Sequence, residues 1–141
     1  INKAIRLIDY GQRCIATGNG GQIHAGHYYS TGSNRTLTYN AHNIFAQSAQ
    51  SNNWKGGDDK NYRQGLIDTF GDGYLSFIEQ LPQHPLIKLN REELEQLNKK
   101  LSKYIKTIEE VVRTPEQRIE ERNKLNNFLC IYNFKHSIYK L

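Results

Sequence analysis

The 141-residue chain holds two cysteines, three prolines, one tryptophan and no methionine, and each scarcity narrows what it can be. Cys14 and Cys130 lie far apart with no second thiol beside either, which excludes a disulfide framework and a CxxC redox or zinc pair. No stretch approaches the roughly 18 apolar residues that cross a bilayer, and the opening INKAIRLIDYGQRC lacks the apolar core of a signal peptide. A membrane partner and secretion are therefore disfavoured, and a cytoplasmic protein is expected. A hydrophobic fraction of 37% leaves material for one small domain, or one domain with an appendage. Acidic charge is also the minority, with 14 Asp+Glu against 19 Lys+Arg, and the resulting +5 suits a polyanionic partner.

What is present divides the chain in two. All 11 glycines fall at or before Gly73, and residues 1–80 are rich in Gly, Asn, Ser and Tyr. From Asn90 onward Lys, Glu, Leu and Ile dominate. Residues 1–80 carry 7 Lys+Arg and 6 Asp+Glu, whereas residues 81–141 carry 12 and 8, so most of the basic excess is C-terminal. Leu81-Pro82-Gln83-His84-Pro85 marks the boundary, because two prolines in four residues exclude a continuing helix. The expected domains are therefore 1–81 and a helical appendage at 82–141.

In the appendage, Asn90-Arg91-Glu92-Glu93 has the form of a capping box, and Leu94, Leu97, Leu101, Tyr104, Ile108 and Val111 follow in a heptad seam. That spacing predicts a helix of about six turns by the 3.6-residue repeat. Thr114-Pro115 starts a second helix with Ile119, Leu125, Phe128, Leu129 and Tyr132 as its apolar face, and a helical hairpin follows. In the first region, Ala4–Tyr10 reads as a short helix or strand. Gln22–Tyr29 and Thr36–Tyr39 read as a β-hairpin, and Asn43–Gln50 as a short helix or turn. Tyr62, Leu66, Ile67 and Phe70 mark an amphipathic helix over Asp59–Thr69 with Gly71 near its end.

The densest polar clusters are His24-Ala25-Gly26-His27, Asn40-Ala41-His42-Asn43 and Ser51-Asn52-Asn53. Imidazole takes a proton near neutral pH, and amide oxygens orient an imidazole or complete the shell of a hard cation, so metal-assisted hydrolysis is the chemistry these types suggest. Spacing alone also fits a structural reading, since an HxxH pair on a strand points to opposite faces and Asn-rich loops make turns. His42, beside Asn43 in a turn, reads as exposed or phosphate-facing.

The ordered set Gln22-Ile23-His24-Ala25-Gly26-His27-Tyr28-Tyr29, Tyr39-Asn40-Ala41-His42-Asn43-Ile44, Gln47-Ser48-Ala49-Gln50-Ser51-Asn52 and Tyr62-Arg63-Gln64-Gly65-Leu66-Ile67 resembles the NinG (Rap) recombination nucleases of lambdoid phages, within the HNH or ββα-metal class. The resemblance implies an α+β fold, a small treble-clef-like ββα-metal domain followed by the helical hairpin. It implies a metal-dependent endonuclease cutting branched or structured DNA during phage recombination, in a bacterial or infected host cell. By position it implies His27 as general base, Asn43 orienting that imidazole, Asn52 as ligand to Mg²⁺ or Mn²⁺, and His24 as a second ligand where relatives carry Asp. Tyr29, Arg35, Lys55 and Arg63 are the expected DNA contacts.

The chain departs from that pattern where relatives carry a four-thiolate zinc knuckle, because the corresponding residues are Cys14, Thr17, Ser48 and Ser51. Neutral hydroxyls are poor Zn²⁺ ligands, so no structural zinc is expected. Hydrogen bonds among Thr17, Ser48 and Ser51, or packing of Ile15, Ile44, Phe45 and Trp54, must hold the knuckle instead. Two other readings stand beside the nuclease: a non-catalytic DNA-binding accessory protein on a degenerate HNH scaffold, and a helical dimerisation module in which the seam pairs two chains as a homodimer. Lys99, Lys100, Lys103 and Lys106 could follow a phosphate backbone, or form a solvated face with the interleaved glutamates.

Overall fold

A computed structural model describes residues 1–54 and 58–132. The fold is mixed α+β, mostly helical with one two-stranded antiparallel sheet. Ala4, Ile5 and Ile8 are all buried, a helical spacing that resolves the first segment as α1, Asn2–Ile8. Strand β1, Ile23–His27, pairs with β2, Ile44–Ser48, in a register that sets His24 against Gln47, Gly26 against Phe45 and His27 against Ile44.

The second strand is thus not at Thr36–Tyr39. That segment contributes a 3-10 turn at Arg35–Leu37, where the Thr38 hydroxyl donates to the Arg35 carbonyl at 2.8 Å and Leu37 is fully buried. The true strand lacks alternation because all five of its residues are buried, so both faces need apolar or satisfied side chains and the two-residue period vanishes. A further 3-10 turn, Ala41–Asn43, leads into β2, and α2, Ala49–Asn53, follows it directly.

Helix α3, Asp59–Phe70, ends at Gly71, whose φ of 88° lies in the region that favours glycine, and α4 runs over Asp72–Gln80. Gly65 sits where α3 crosses the 15–18 loop, and a Cβ there would collide with the Ile15 carbonyl oxygen. Gly65→Ala is expected to destabilise the protein by about 1–3 kcal/mol, since a backbone oxygen cannot rotate aside. Urea denaturation at neutral pH measures it.

The expected capping box of Asn90 with Glu93 forms and starts α5, Arg91–Ile105, and Thr114 caps α6, Pro115–Leu129, as expected, with Gln117 completing a second box. The predicted six-turn helix stops early, at Ile105. The Thr107 hydroxyl donates to the Tyr104 carbonyl at 2.7 Å, and Arg113 donates to the carbonyls of Leu7, Glu109 and Val111. These bonds tie residues 106–113 to the end of α1 in place of a further helical turn. Of the seam, Leu97, Leu101 and Ile108 are buried within the chain, while Val111 is exposed. Helices α5 and α6 pack on each other as a hairpin.

Two hydrophobic clusters flank the sheet. One joins α1, Ala25, Ala41 and Ile44 to Leu97, Leu101, Leu125 and Leu129, and the other joins Leu37 and Phe45 to Tyr62, Leu66, Tyr74 and Ile78. Consecutive β2 residues Ile44 and Phe45 thus serve opposite sides. A buried ionic cluster links α1 to α6: Asp9 accepts from Arg118 Nε at 2.8 Å, from Arg122 Nη2 at 2.8 and 2.9 Å, and from the Ala46 amide at 2.8 Å. The Arg122 guanidinium also reaches the Ala41 and Ile44 carbonyls and lies 4.3 Å from the Phe45 ring centroid. The face that α6 buries therefore includes Arg118, Arg122 and Asn126, while Phe128, predicted to be on it, is 42% exposed.

Candidate functional site

His27 closes β1, and the backbone around it is held by Asn43. The Tyr29 amide donates to Asn43 Oδ1 at 2.8 Å, while Asn43 Nδ2 donates to the Tyr29 carbonyl at 2.9 Å and to the Leu37 carbonyl at 3.3 Å. Asn43 is fully buried, so these bonds are sheltered from water. They fasten the chain just after His27 to the turn carrying Thr38. The Thr38 carbonyl in turn accepts from His27 Nε2 at 3.0 Å. Asn43 thus meets the imidazole only indirectly, fixing the backbone at Tyr29, two residues after the ring, and at Leu37, next to the ring's partner Thr38.

That hydrogen bond places the proton of a neutral imidazole on Nε2 and leaves the lone pair on Nδ1. Burial lowers the His27 pKa from its ordinary value, outweighing the Thr38 bond that favours the protonated ring. A ring that is neutral at pH 7 can accept a proton.

His27 lines an open cleft of about 660 Å³ together with Tyr28, Tyr29, Ser30, Asn52 and Asp59. Asn52 is delivered by α2, whose start is set by the Ser48 side chain accepting the Ser51 amide at 3.2 Å. Gln47, fully buried on β2, donates to Ser51 Oγ at 3.0 Å, and Ser51 Oγ lies 3.4 Å from the Asp58 carboxylate. Asp58, at φ 62°, turns the chain into α3 and leaves Asp59 on the cleft. His27, Asn52 and Tyr29 thus line one cleft, and Asp59 lines it with them. Sequence reasoning passed over Asp59 because an acid in the first turn of a helix is ordinary dipole complementation.

His24 is not on the cleft. Three positions before His27 on one strand, it projects from the opposite face. Among the described residues no group of three or more His, Cys, Asp and Glu is arranged to hold a metal ion. Among the oxygen donors that line the cleft with His27, the Asn52 amide and the Asp59 carboxylate are types that suit a hard, largely hydrated cation.

Of the expected DNA contacts, Tyr29 lines the cleft, Arg63 is exposed but paired with Glu79 at 2.9 Å, and exposed Arg35 lines a separate groove with Tyr39 and Leu86. Lys55 lies outside the described residues. The Tyr28 hydroxyl also donates to Glu79, at 3.1 Å, and burial raises its pKa.

His42 is buried, not exposed or phosphate-facing. Its Nδ1 lies 2.7 Å from the Tyr74 hydroxyl and its Nε2 2.8 Å from Asn123 Oδ1, so the ring bridges α4 and α6. The Asn123 oxygen can only accept, which puts the ring proton on Nε2 and makes Tyr74 the donor to Nδ1. Burial, helped by the Arg122 charge, lowers the His42 pKa to about 3. The folded state thus favours the neutral ring, and its stability is complete above the unfolded value of 6.5 and declines as pH falls toward 3. About 2 kcal/mol should be lost between pH 7 and pH 5. Urea melts at these two pH values check this, and a His42→Gln variant should lose that part of the pH dependence.

At the knuckle positions, Cys14 is buried and receives hydrogen bonds from Ser48 and Thr17. Burial pushes the thiol up, but these bonds outweigh it and bring the pKa down to about 7. With the bond from the Ser51 amide to Ser48 Oγ, the four positions form one hydrogen-bonded cluster. Ile15, Ile44 and Phe45 join the hydrophobic clusters, whereas Trp54 does not, being 66% exposed.

No helix among the described residues is long and apolar enough to cross a membrane. No curated protein and no solved structure matches the chain. A family model described as Bacteriophage Lambda NinG protein matches residues 1–111. That span carries β1, the Asn43 turn, β2 and every residue of the cleft, and the chain belongs to the bacteriophage lambda NinG protein family.

Proposed function

We propose that the protein is a metal-dependent endonuclease of the HNH, ββα-metal class that hydrolyses phosphodiester bonds in branched or structured DNA during phage recombination. The observation that carries this reading is the convergence of His27, Asn52 and Asp59 on one cleft, with His27 tied through Nε2 to Thr38. His27 Nδ1 takes a proton from water as its oxygen attacks phosphorus, and the bond from phosphorus to the leaving deoxyribose oxygen breaks. The leaving oxygen takes its proton from solvent. Asn52 and Asp59 would hold Mg²⁺ or Mn²⁺, which supplies positive charge against the developing phosphorane. Asn43 acts through the backbone, keeping Thr38 and Tyr29 in place about the base.

The shape of the sheet and the following helices is compatible with the ββα class, and family membership supports the recombination role. The second reading is a DNA-binding accessory protein without cleavage, which needs only the basic charge of the chain, +5, and its shape, and not His27. Paired cuts at a symmetric junction would call for a homodimer, for which α5 and α6 leave Phe128, packed on Tyr104, as apolar surface.

A labelled four-way junction incubated with the protein and Mg²⁺ or Mn²⁺ separates the readings. Cleavage that requires the cation and His27 supports the nuclease. Junction binding without cleavage, in the parent and the variant alike, supports the accessory protein.

A further inference from the structure

The single tryptophan of the chain stands outside its core. Trp54 ends α2 in an extended conformation, with its amide bonded to the Ser51 carbonyl at 3.2 Å, and its side chain is 66% exposed. An indole is among the largest apolar surfaces a residue can leave in water. It lies two residues beyond Asn52, and two residues span at most about 7 Å, so its backbone stands close to that of a residue lining the cleft that holds His27 and Asp59.

The surroundings indicate what such a ring can meet. The neighbouring cleft is polar, with Ser30, Ser33, Asn52 and Asp59 among its lining, and two tyrosines, Tyr28 and Tyr29, on its wall. Among the described residues the other large exposed apolar side chains, Tyr10, Leu86, Val111, Val112 and Phe128, are far from Trp54 in sequence, and none of them lines this cleft. A protein-docking site needs a contiguous apolar patch of several hundred Å². A lone aromatic plane beside a polar cleft instead suits one flat, polar-edged ring, and a nucleobase has that form.

We infer that Trp54 is a stacking platform for an unpaired nucleobase next to the scissile phosphate, which would make an unstacked or single-stranded nucleotide part of the preferred substrate. The inference rests on the nucleic-acid reading above and narrows it. Within a continuous duplex both faces of every base are already covered by neighbours, and the indole finds no free face there. At a branch point, a flap or a single strand a face is open, and stacking strengthens binding regardless of base identity.

Because the protein has one tryptophan, its fluorescence reports on this ring alone. The test uses the full chain carrying His27→Ala with Mg²⁺, titrated with a single-stranded oligo-dT, a continuous duplex and a four-way junction, each labelled so that anisotropy measures binding separately. The expected result is fluorescence quenching by oligo-dT and junction but not by duplex, with Trp54→Ala weakening the first two by about tenfold and the duplex by less than twofold. Trp54→Phe should recover part of the loss. DNA bound with unchanged tryptophan emission, or equal losses on all three substrates, would overturn the stacking role and leave the nuclease reading intact. No binding of any DNA by the folded parent protein would overturn both.

Discussion

Asp9→Ala is expected to lower the unfolding free energy by about 3–5 kcal/mol. The carboxylate is buried, and it is the shared partner of two buried guanidinium groups and the Ala46 amide. Removing it leaves Arg118 and Arg122 as like charges without a counter-ion, in surroundings where water cannot replace the lost bonds. Since a small domain is stable by only about 5–15 kcal/mol, the variant should approach the limit of folding at 37 °C. Asp9→Asn keeps acceptors for part of the network without the charge, and its loss should be smaller. Urea denaturation at pH 7 distinguishes the two through the midpoint, and an Asp9→Ala protein as stable as the parent would refute the role.

The same cluster has a defined pH response. Burial alone would push the Asp9 pKa up, but Arg122 and then Arg118 outweigh it and hold the carboxyl below its ordinary value of 3.8. A depressed carboxylate contributes its full stability above the unfolded value and loses it as pH falls through the folded one. Loss from Asp9 therefore begins only below about pH 4, after the loss from His42, which begins near pH 6.5. Stability should therefore begin to fall near pH 6.5 and fall more steeply below about pH 4, where the Asp9 loss adds to that of His42.

His27→Ala is expected to slow cation-dependent junction cleavage by about 10²–10⁴-fold, the usual range for a positioned general base. Its cost in stability should be near 1 kcal/mol, from the hydrogen bond to Thr38, so a folded variant can be assayed. His27→Gln offers the Thr38 carbonyl a donor without supplying a base at neutral pH, and should be as slow as alanine while more stable. Asp59→Ala in the same assay should raise the cation concentration needed for half-maximal rate, a change not expected of His27→Gln. Single-turnover rates against pH provide the mechanistic signature: the parent rate should fall on the acid side of 6.5, because burial lowers the His27 pKa, and that limb should vanish in both His27 variants. Cleavage by His27→Ala at the parental rate would remove this residue from the chemistry.

The helix starts show how far local chemistry reaches. Asn90 with Glu93, and Thr114 with Pro115 and Gln117, each satisfy their own first-turn amides within four residues, so the start of the helix is written in adjacent letters. The end of α5 is not so written. Its apolar seam continues through Ile108 and Val111, but the backbone leaves the helix because Arg113 finds the Leu7 carbonyl, a partner far away in sequence. The second strand escaped notice for a related reason: Ile44 and Phe45 face different clusters, and a strand covered on both sides has no period to read.

The candidate site divides the same way. His27, Asn43 and Asn52 were singled out through the family resemblance of their ordered motifs. Asp59 was not, because its approach to the cleft depends on the turn at Asp58 and on the Ser51 hydroxyl that meets it. Nor was the role of His42, whose ring faces Tyr74 and Asn123, 32 and 81 positions away.

By itself, then, the sequence determined what short-range bonding and composition can decide: the helix starts, the glycine-bounded end of α3, the cluster of His and Asn types, and the lack of a four-thiolate set. The tertiary structure alone decided which polar groups would be buried together and which would meet at the cleft. Asp9, Arg118 and Arg122 look like surface charges in one dimension, and they become the ionic centre between α1 and α6 because burial makes each charge depend on partners that only the folded chain supplies.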